Sequence, residues 1–437
     1  MKILAIHLPA FHQIKENDEW GGEGFTEWDN VRMGKSYFKN HIQPVVPLNK
    51  RYYDLSKKED IEYQIDLANN YGVDGFIFYH YWFGNDNMLF SKPVEIIKNE
   101  ITKKIEYCFC WANESWITTW HGKDPNELMP QVYEGKKDWQ KHIEYFLPYF
   151  QDERYVKIEG RPVLFLYKPH EIPDYEEMIE YWNEYLEKHN IKPIYIIEYI
   201  SSKNRDLSSV KSDGVMEFEP LYTTFFDISV WNKGKRFLCK KLHQIDYQSY
   251  DHLWKKIIER KRTYQGKTIY KSCFCAWDNS PRKEKNSMIV KNSSPEKFEK
   301  YLRELIEVKR ADASEDYLII NAWNEYIDDC YPGSELVCEI TDKTEFISNS
   351  RCCNELKNAY DNPTTLTKTT KAIIIKFFLL FINFSFHYKT RKTIVSLIPL
   401  LFVLFLSSTK FWIRTSFLFN RSTPPLFDIF RHIFLDT

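Results

Sequence analysis

Glu325 and Asp328 stand three residues apart in NAWNEYIDD (321–329), directly after the apolar run YLII (317–320). Glycosidic bonds are made and broken through oxocarbenium-like transition states, usually managed by two carboxylates, one as acid and the other as base or nucleophile. An E-x-x-D at a strand end supplies such a pair. A solvated acidic loop gives the same letters, since Asp329 follows at once and charged runs are usually exposed. The surroundings separate the two readings. Trp323 and Asn324 precede the pair, and HYW (80–82), WANESW (111–116) and WDN (277–279) hold further rings, carboxylates and amides. A sugar ring has apolar C–H faces and a rim of hydroxyls, so flat rings beside such polar groups are what it requires. The catalytic candidates are Glu325 and Asp328. The substrate-binding candidates are His12, Glu27, Trp28, His80, Tyr81, Trp82, Trp111, Asn113, Glu114, Trp116, Glu198, Glu217, Trp277, Asp278 and Asn324.

Distant residues meet only if the elements carrying them converge. Eight apolar runs rich in β-branched and aromatic residues recur along the chain: 2–8, 74–82, 105–113, 162–169, 192–199, 213–220, 270–278 and 317–325. Helical stretches separate them. Ser56 and Glu59 have capping-box spacing before Ile61, Ile65 and Ala68, with Gly72 at the end. Met178, Trp182, Tyr185 and Leu186 form one stripe after an Asp N-cap, and Ser294-Pro295 opens a helix carrying Phe298, Leu302 and Ile306. Strands alternating with helices predict a parallel sheet, and eight of them predict an α/β fold of the closed (β/α)8 TIM-barrel type; an open doubly wound sheet is the alternative. In a barrel, the polar C-terminal ends of all eight runs meet on one face, where active sites of this fold are built.

The 437 residues, 43% hydrophobic and 17% aromatic, suffice for a large core. A net charge of −1 with interspersed signs leaves no footprint for nucleic acid. Nine cysteines without a C-x-x-C, four of them in CFC triplets at 108–110 and 273–275, predict packing and a reducing cytoplasm rather than disulfides. MKILAIHLPAF is too short in its apolar part for a signal peptide and reads as the first strand. Asp-x-Asp, P-loop and G-x-G-x-x-G motifs are absent, and His7 and His12 lack a recognised ligand spacing, so neither metal nor cofactor is expected. The expected organisation is a glycan-active barrel over 1–361, with a last helix near 349–360, a polar linker at 362–371 and an apolar, basic tail at 372–437. The uncharged stretch 393–409 is short for a span of roughly 20 residues. With its basic flanks it fits an interfacial anchor at the inner face of a membrane, against a packed C-terminal extension.

Five ordered motifs give a resemblance: NDEWGGEGFTEWDNV (17–31), YGVDGFIFYHYWF (71–83), CWANESW (110–116), AWDNSPR (276–282) and NAWNEY (321–326). Over about residues 1–360 the chain resembles the WbsX-like family, itself similar to family 99 glycoside hydrolases. That resemblance implies a (β/α)8 barrel acting on glycans in bacterial surface-polysaccharide assembly. It also implies a metal-independent, retaining reaction of the endo-α-mannosidase type with an E-x-x-E pair. By position, Glu325 would be the base acting on the substrate's own 2-hydroxyl and Asp328 the acid/base on the leaving group. Three positions differ from the family pattern: Gly21 replaces the second Trp of W-W-G, Ala10 replaces the Gln of P-Q-F-H, and Asp328 is one methylene shorter than Glu. A glycosyltransferase of lipopolysaccharide or capsule synthesis and a non-catalytic glycan-binding barrel remain the alternatives.

Overall fold

The computed structural model describes residues 1–84, 86–117, 127–201, 211–261, 263–264, 266–312 and 317–325. Nine parallel strand segments form its centre: β1 (Lys2–His7), β2 (Gly75–Gly84), β3 (Glu106–Trp111), β4 (Arg161–Leu166), β5 (Tyr195–Ile200), β6 (Gly214–Glu217), β7 (Thr268–Tyr270), β8 (Ser272–Phe274) and β9 (Tyr317–Asn321). Their order is β7-β6-β5-β4-β3-β2-β1-β9-β8, which is the chain order read around a ring. Because β7 and β8 are consecutive in the chain, the two ends of the sheet come back together. The result is a nearly closed barrel of the TIM type rather than an open sheet.

The seventh expected run is divided at Lys271, and its halves serve opposite neighbours. Residues Thr268–Tyr270 pair with β6, whereas Ser272–Phe274 pair with β9. Side chains complete the seam where backbone pairing lapses. The Ser272 hydroxyl accepts from the Glu219 amide at 3.0 Å and donates to the Glu217 carbonyl at 2.5 Å, while Asn321 Nδ2 donates to the Glu219 carbonyl at 2.6 Å.

Runs buried on both faces are expected when a strand has barrel interior on one side and helices on the other. Short helices α1 (Lys15–Gly21) and α2 (Glu27–Arg32) lie between β1 and α3 (Lys58–Asn70). Then come α4 (Lys92–Asn99), α5 (Lys136–Phe150), α6 (Tyr175–Glu187), α7 (Leu221–Phe226), α8 (Val230–Lys241), α9 (Tyr250–Glu259), α10 (Ser280–Lys283) and α11 (Pro295–Asp312). The expected capping box of α3 does not form. Ser56 gives its hydroxyl to Asp54 at 2.6 Å, and the helix starts one residue after Lys57. Ser294 does cap α11, accepting from the Lys297 amide at 3.3 Å. Close packing fixes Gly75 on β2, because a Cβ there would meet the Glu106 carbonyl oxygen at 2.5 Å. Among the described residues no helix is long and apolar enough to cross a membrane. The expected helix near 349–360, the linker and the tail lie outside the described residues.

Candidate active site

Beyond β9 the chain is held to the end of β1. The Trp323 amide donates to the Ile6 carbonyl at 2.7 Å. The Asn324 side chain then brackets Leu8, accepting from its amide at 2.7 Å and donating to its carbonyl at 2.8 Å. Asn324 therefore acts as a clamp that presents the next residue, Glu325, at the mouth. Glu325 is buried, and its Oε2 has no hydrogen-bond partner among the described residues. Burial pushes its carboxyl up to about 7; Arg282 opposes that shift, Glu27 adds to it, and a hydrogen bond with Tyr79 opposes it.

The groups around Glu325 come from far apart in sequence. Glu27, in the first turn of α2, pairs with Arg282 of α10 at 3.0 Å, both side chains being buried, and accepts from Asn30 Nδ2 at 3.1 Å. Tyr79 and Tyr81 share one face of β2, as residues two apart in a strand must. Burial first and the Glu325 charge second push both phenols well above their ordinary range. The field of Glu325 also reaches Cys110 of β3 and Tyr199 of β5, where burial is again the larger cause of the upward shift.

An aromatic and charged rim adjoins this cluster. Trp116 meets Tyr81 edge-on with centroids 5.3 Å apart, and Trp20 lies 6.0 Å and Phe90 5.6 Å from Trp116. His12 sits 5.4 Å from Phe90; burial lowers its imidazole to about 4, with Asp54 and the Pro9 backbone opposing, so it is neutral at pH 7. Glu114 pairs with Lys168 at 3.1 Å and its charge bears on Tyr81. Asp278 accepts from His41 and Gln43 at 2.7 Å each and from the Ser280 amide at 2.9 Å. Burial works against the Asp278 charge, but these hydrogen bonds outweigh it and hold the carboxyl below its ordinary value. Gly21 is also accounted for here, since the Phe25 ring occupies the space a Cβ would need.

Other expected site residues are directed elsewhere. His80 and Trp82 alternate with Tyr79 and Tyr81 and face α5. His80 Nε2 lies 2.9 Å from His142 Nε2, and Trp82 stacks on His142 at 4.4 Å and donates to Asp138 at 3.1 Å. Burial lowers His80 to about 3, and it is neutral. Trp111 donates to the Trp82 carbonyl at 3.0 Å and packs 6.1 Å from Trp182 of α6. Glu198 is taken by Lys267 at 2.5 Å and the Ser212 hydroxyl at 2.7 Å, and Glu217 by Arg260 at 2.6 Å. Asn113 brackets the Lys168 backbone with two 2.8 Å hydrogen bonds, just as Asn324 does for Leu8. Trp28 donates to the Tyr53 carbonyl at 2.8 Å beneath α2, and Trp277 is buried. Asp328 lies outside the described residues.

Tyr79, Cys110, Tyr199 and Arg282 belong to the Glu325 cluster but not to the expected set. Strict alternation from Tyr81 points to Tyr79, and Arg282 closes the motif AWDNSPR; nothing in the sequence distinguishes Tyr199 from a core tyrosine. Among the described residues no three His, Cys, Asp or Glu side chains gather as a metal site would need. What the cluster offers is proton transfer: a carboxyl poised near neutrality, biased by a fixed ion pair and flanked by phenol donors.

A sequence model of the family described as Glycosyltransferase WbsX matches residues 3–334. Two proteins of Xanthomonas campestris pv. campestris, from strains B100 and ATCC 33913, are each called "Uncharacterized protein WxcX". Each is 28% identical over 328 residues, covering 74% of this chain and 46% of theirs. The match thus spans about half the length of those relatives. The fold is similar to a solved "Glycoside hydrolase-like protein" at 12% identity and TM-score 0.50, over 81% of this chain and 93% of that one. A GH99 endo-alpha-mannosidase from Bacteroides thetaiotaomicron aligns at 12% identity and TM-score 0.45, over 82% and 98%.

Proposed function

This chain belongs to the WbsX glycosyltransferase family, and from that premise we propose that it is a carbohydrate-active enzyme working on α-linked glycans of surface polysaccharide. The observation that carries the proposal is the buried Glu325 carboxyl at the barrel mouth, beside Tyr79 and the Glu27–Arg282 pair. A carboxyl titrating near the working pH is suited to taking a proton from one group and returning it to another. In this reading Glu325 accepts the proton of the sugar's own 2-hydroxyl as that oxygen bonds to the anomeric carbon, and Asp328 protonates the oxygen that leaves. An incoming hydroxyl, giving its proton to Asp328, then bonds to the anomeric carbon while Glu325 returns its proton to the 2-oxygen. Trp20, partly exposed and backed by the buried Trp116 and Phe90, offers an apolar face to the ring, while Glu114 and its partner Lys168 offer polar contacts to its hydroxyls.

The family description favours a second reading, transfer of a sugar from an activated donor. Both are tested by incubating the full chain with a panel of α-mannosides and nucleotide sugars and following products by mass spectrometry. Shortened glycans or glycosyl-exchanged products from the α-mannosides support the first reading. Products that require a nucleotide sugar support the second. Glycan binding with no product from either class contradicts both and leaves a glycan-binding barrel.

A further inference from the structure

Helix α8 has no buried residue, although its sequence VWNKGKRFLCKK is far from uniformly polar. Val230 is 86% exposed, Trp231 85%, Phe237 70% and Leu238 53%, and Leu242, the C-cap, is 53% exposed. The other large apolar side chains exposed among the described residues, Met33, Ile42 and Tyr52, lie far from these in the sequence. Exposed apolar side chains scattered singly need no explanation; a contiguous stripe does.

At about 100° per residue, Val230, Gly234 and Phe237 run along the outer face, with Trp231, Leu238 and Leu242 on one flank and Lys233 and Lys240 on the other. The inner side is fastened to the body. Arg236 donates to the Thr224 carbonyl at 2.9 Å and lies over the Phe225 ring at 4.1 Å, and Lys235 donates to the Tyr247 carbonyl at 3.2 Å. Five cations (Lys233, Lys235, Arg236, Lys240, Lys241) and no acid lie between residues 230 and 241.

Charge narrows the choice of partner. A second copy would bring five cations against five. The apolar tail 372–437 carries eight Lys and Arg against two Asp, so it too has the wrong sign. A partner that is apolar beneath and anionic on top matches both features of the stripe. We propose that α8 is an interfacial helix that lies on an anionic lipid surface, with Trp231, Phe237 and Leu238 entering the headgroup boundary and Lys233, Lys240 and Lys241 meeting lipid phosphates.

The test uses the full chain with vesicles of phosphatidylcholine alone or of equal parts phosphatidylcholine and phosphatidylglycerol. Two double variants, Trp231→Ser with Phe237→Ser and Lys233→Glu with Lys240→Glu, change only exposed side chains, and unchanged melting verifies their fold. Wild type is expected to co-sediment with the anionic vesicles, each variant to partition about tenfold more weakly or worse, and amide exchange over 229–242 to slow when vesicles are added. The tail is intact in every arm, so attachment through it alone would leave variant binding and helix exchange unchanged and overturn the proposal. Slowing of exchange by protein concentration without lipid, or by polyglutamate but not vesicles, would overturn it equally.

Discussion

At the scale of residues, the site depends on how its neighbours set the charge of Glu325. If the ionised form is the active one, kcat/KM rises with pH and levels off above about 7, where burial holds this carboxyl. Arg282→Met removes the cation that favours ionisation and is expected to move that limb to higher pH. Glu27→Gln removes an opposing anion and is expected to move it lower. Both are read as pH profiles, which a change in the amount of folded enzyme does not shift. The same carboxyl has the opposite bearing on stability. Its folded value lies above the ordinary 4.5, so the native state holds an extra proton between about 4.5 and 7, and its contribution is lost as pH rises through that window. Much of this residue set was legible from types and spacing, Glu325, Glu27, Tyr81 and Trp116 among them. What failed was reading HYW as one patch. Successive side chains of a strand point to opposite faces, so His80 and Trp82 belong to the α5 layer while Tyr79 and Tyr81 belong to the mouth.

At the scale of elements, the barrel is finished by side chains imitating backbone. Asn324 supplies to Leu8 the donor and acceptor that a longer β9 would have supplied, and Ser272 does the same across the seam between β8 and the end of β6. Removing either leaves buried backbone groups without partners, which costs about 1–3 kcal/mol for each group. Ser272→Ala leaves two such groups and is therefore expected to lower stability by about 2–6 kcal/mol in urea unfolding, with little change in kcat for the protein that remains folded. Asn324→Ala is expected to lower stability similarly and kcat as well, since it presents Glu325. Equal kcat in the two variants would count against that clamp. The positions of all eight strand runs could be read from hydrophobic patterning. The division of the seventh at Lys271 could not, because it is decided by which neighbours β7 and β8 reach on either side, and such tertiary pairing leaves no local signature. The Ser56 capping box failed for a related reason: Asp54 accepts the Ser56 backbone amide, the donor that Glu59 would have bound, as well as the Ser56 hydroxyl.

At the scale of the molecule, the ring of strands gathers Glu27, Tyr79, Cys110, Tyr199, Arg282 and Glu325, which span some three hundred residues of sequence, around a single carboxyl. No local motif could do this, and it explains why isolated letters such as E-x-x-D say little until the fold brings them company. Of the five motifs, 17–31 lies on α1, α2 and the turn between them and 71–83 runs through β2, while 110–116, 276–282 and 321–325 follow the ends of β3, β8 and β9; Glu198 and Glu217 are instead held in ion pairs with Lys267 and Arg260. In the proposed reaction Glu325 performs the proton transfer on a glycan. The most direct test of that role is the turnover of Glu325→Gln on whichever glycan the wild type converts, alongside its melting temperature and glycan affinity. Loss of turnover by about a hundredfold or more, with melting and binding retained, is the predicted result. Turnover close to wild type in a folded Glu325→Gln protein would contradict the account.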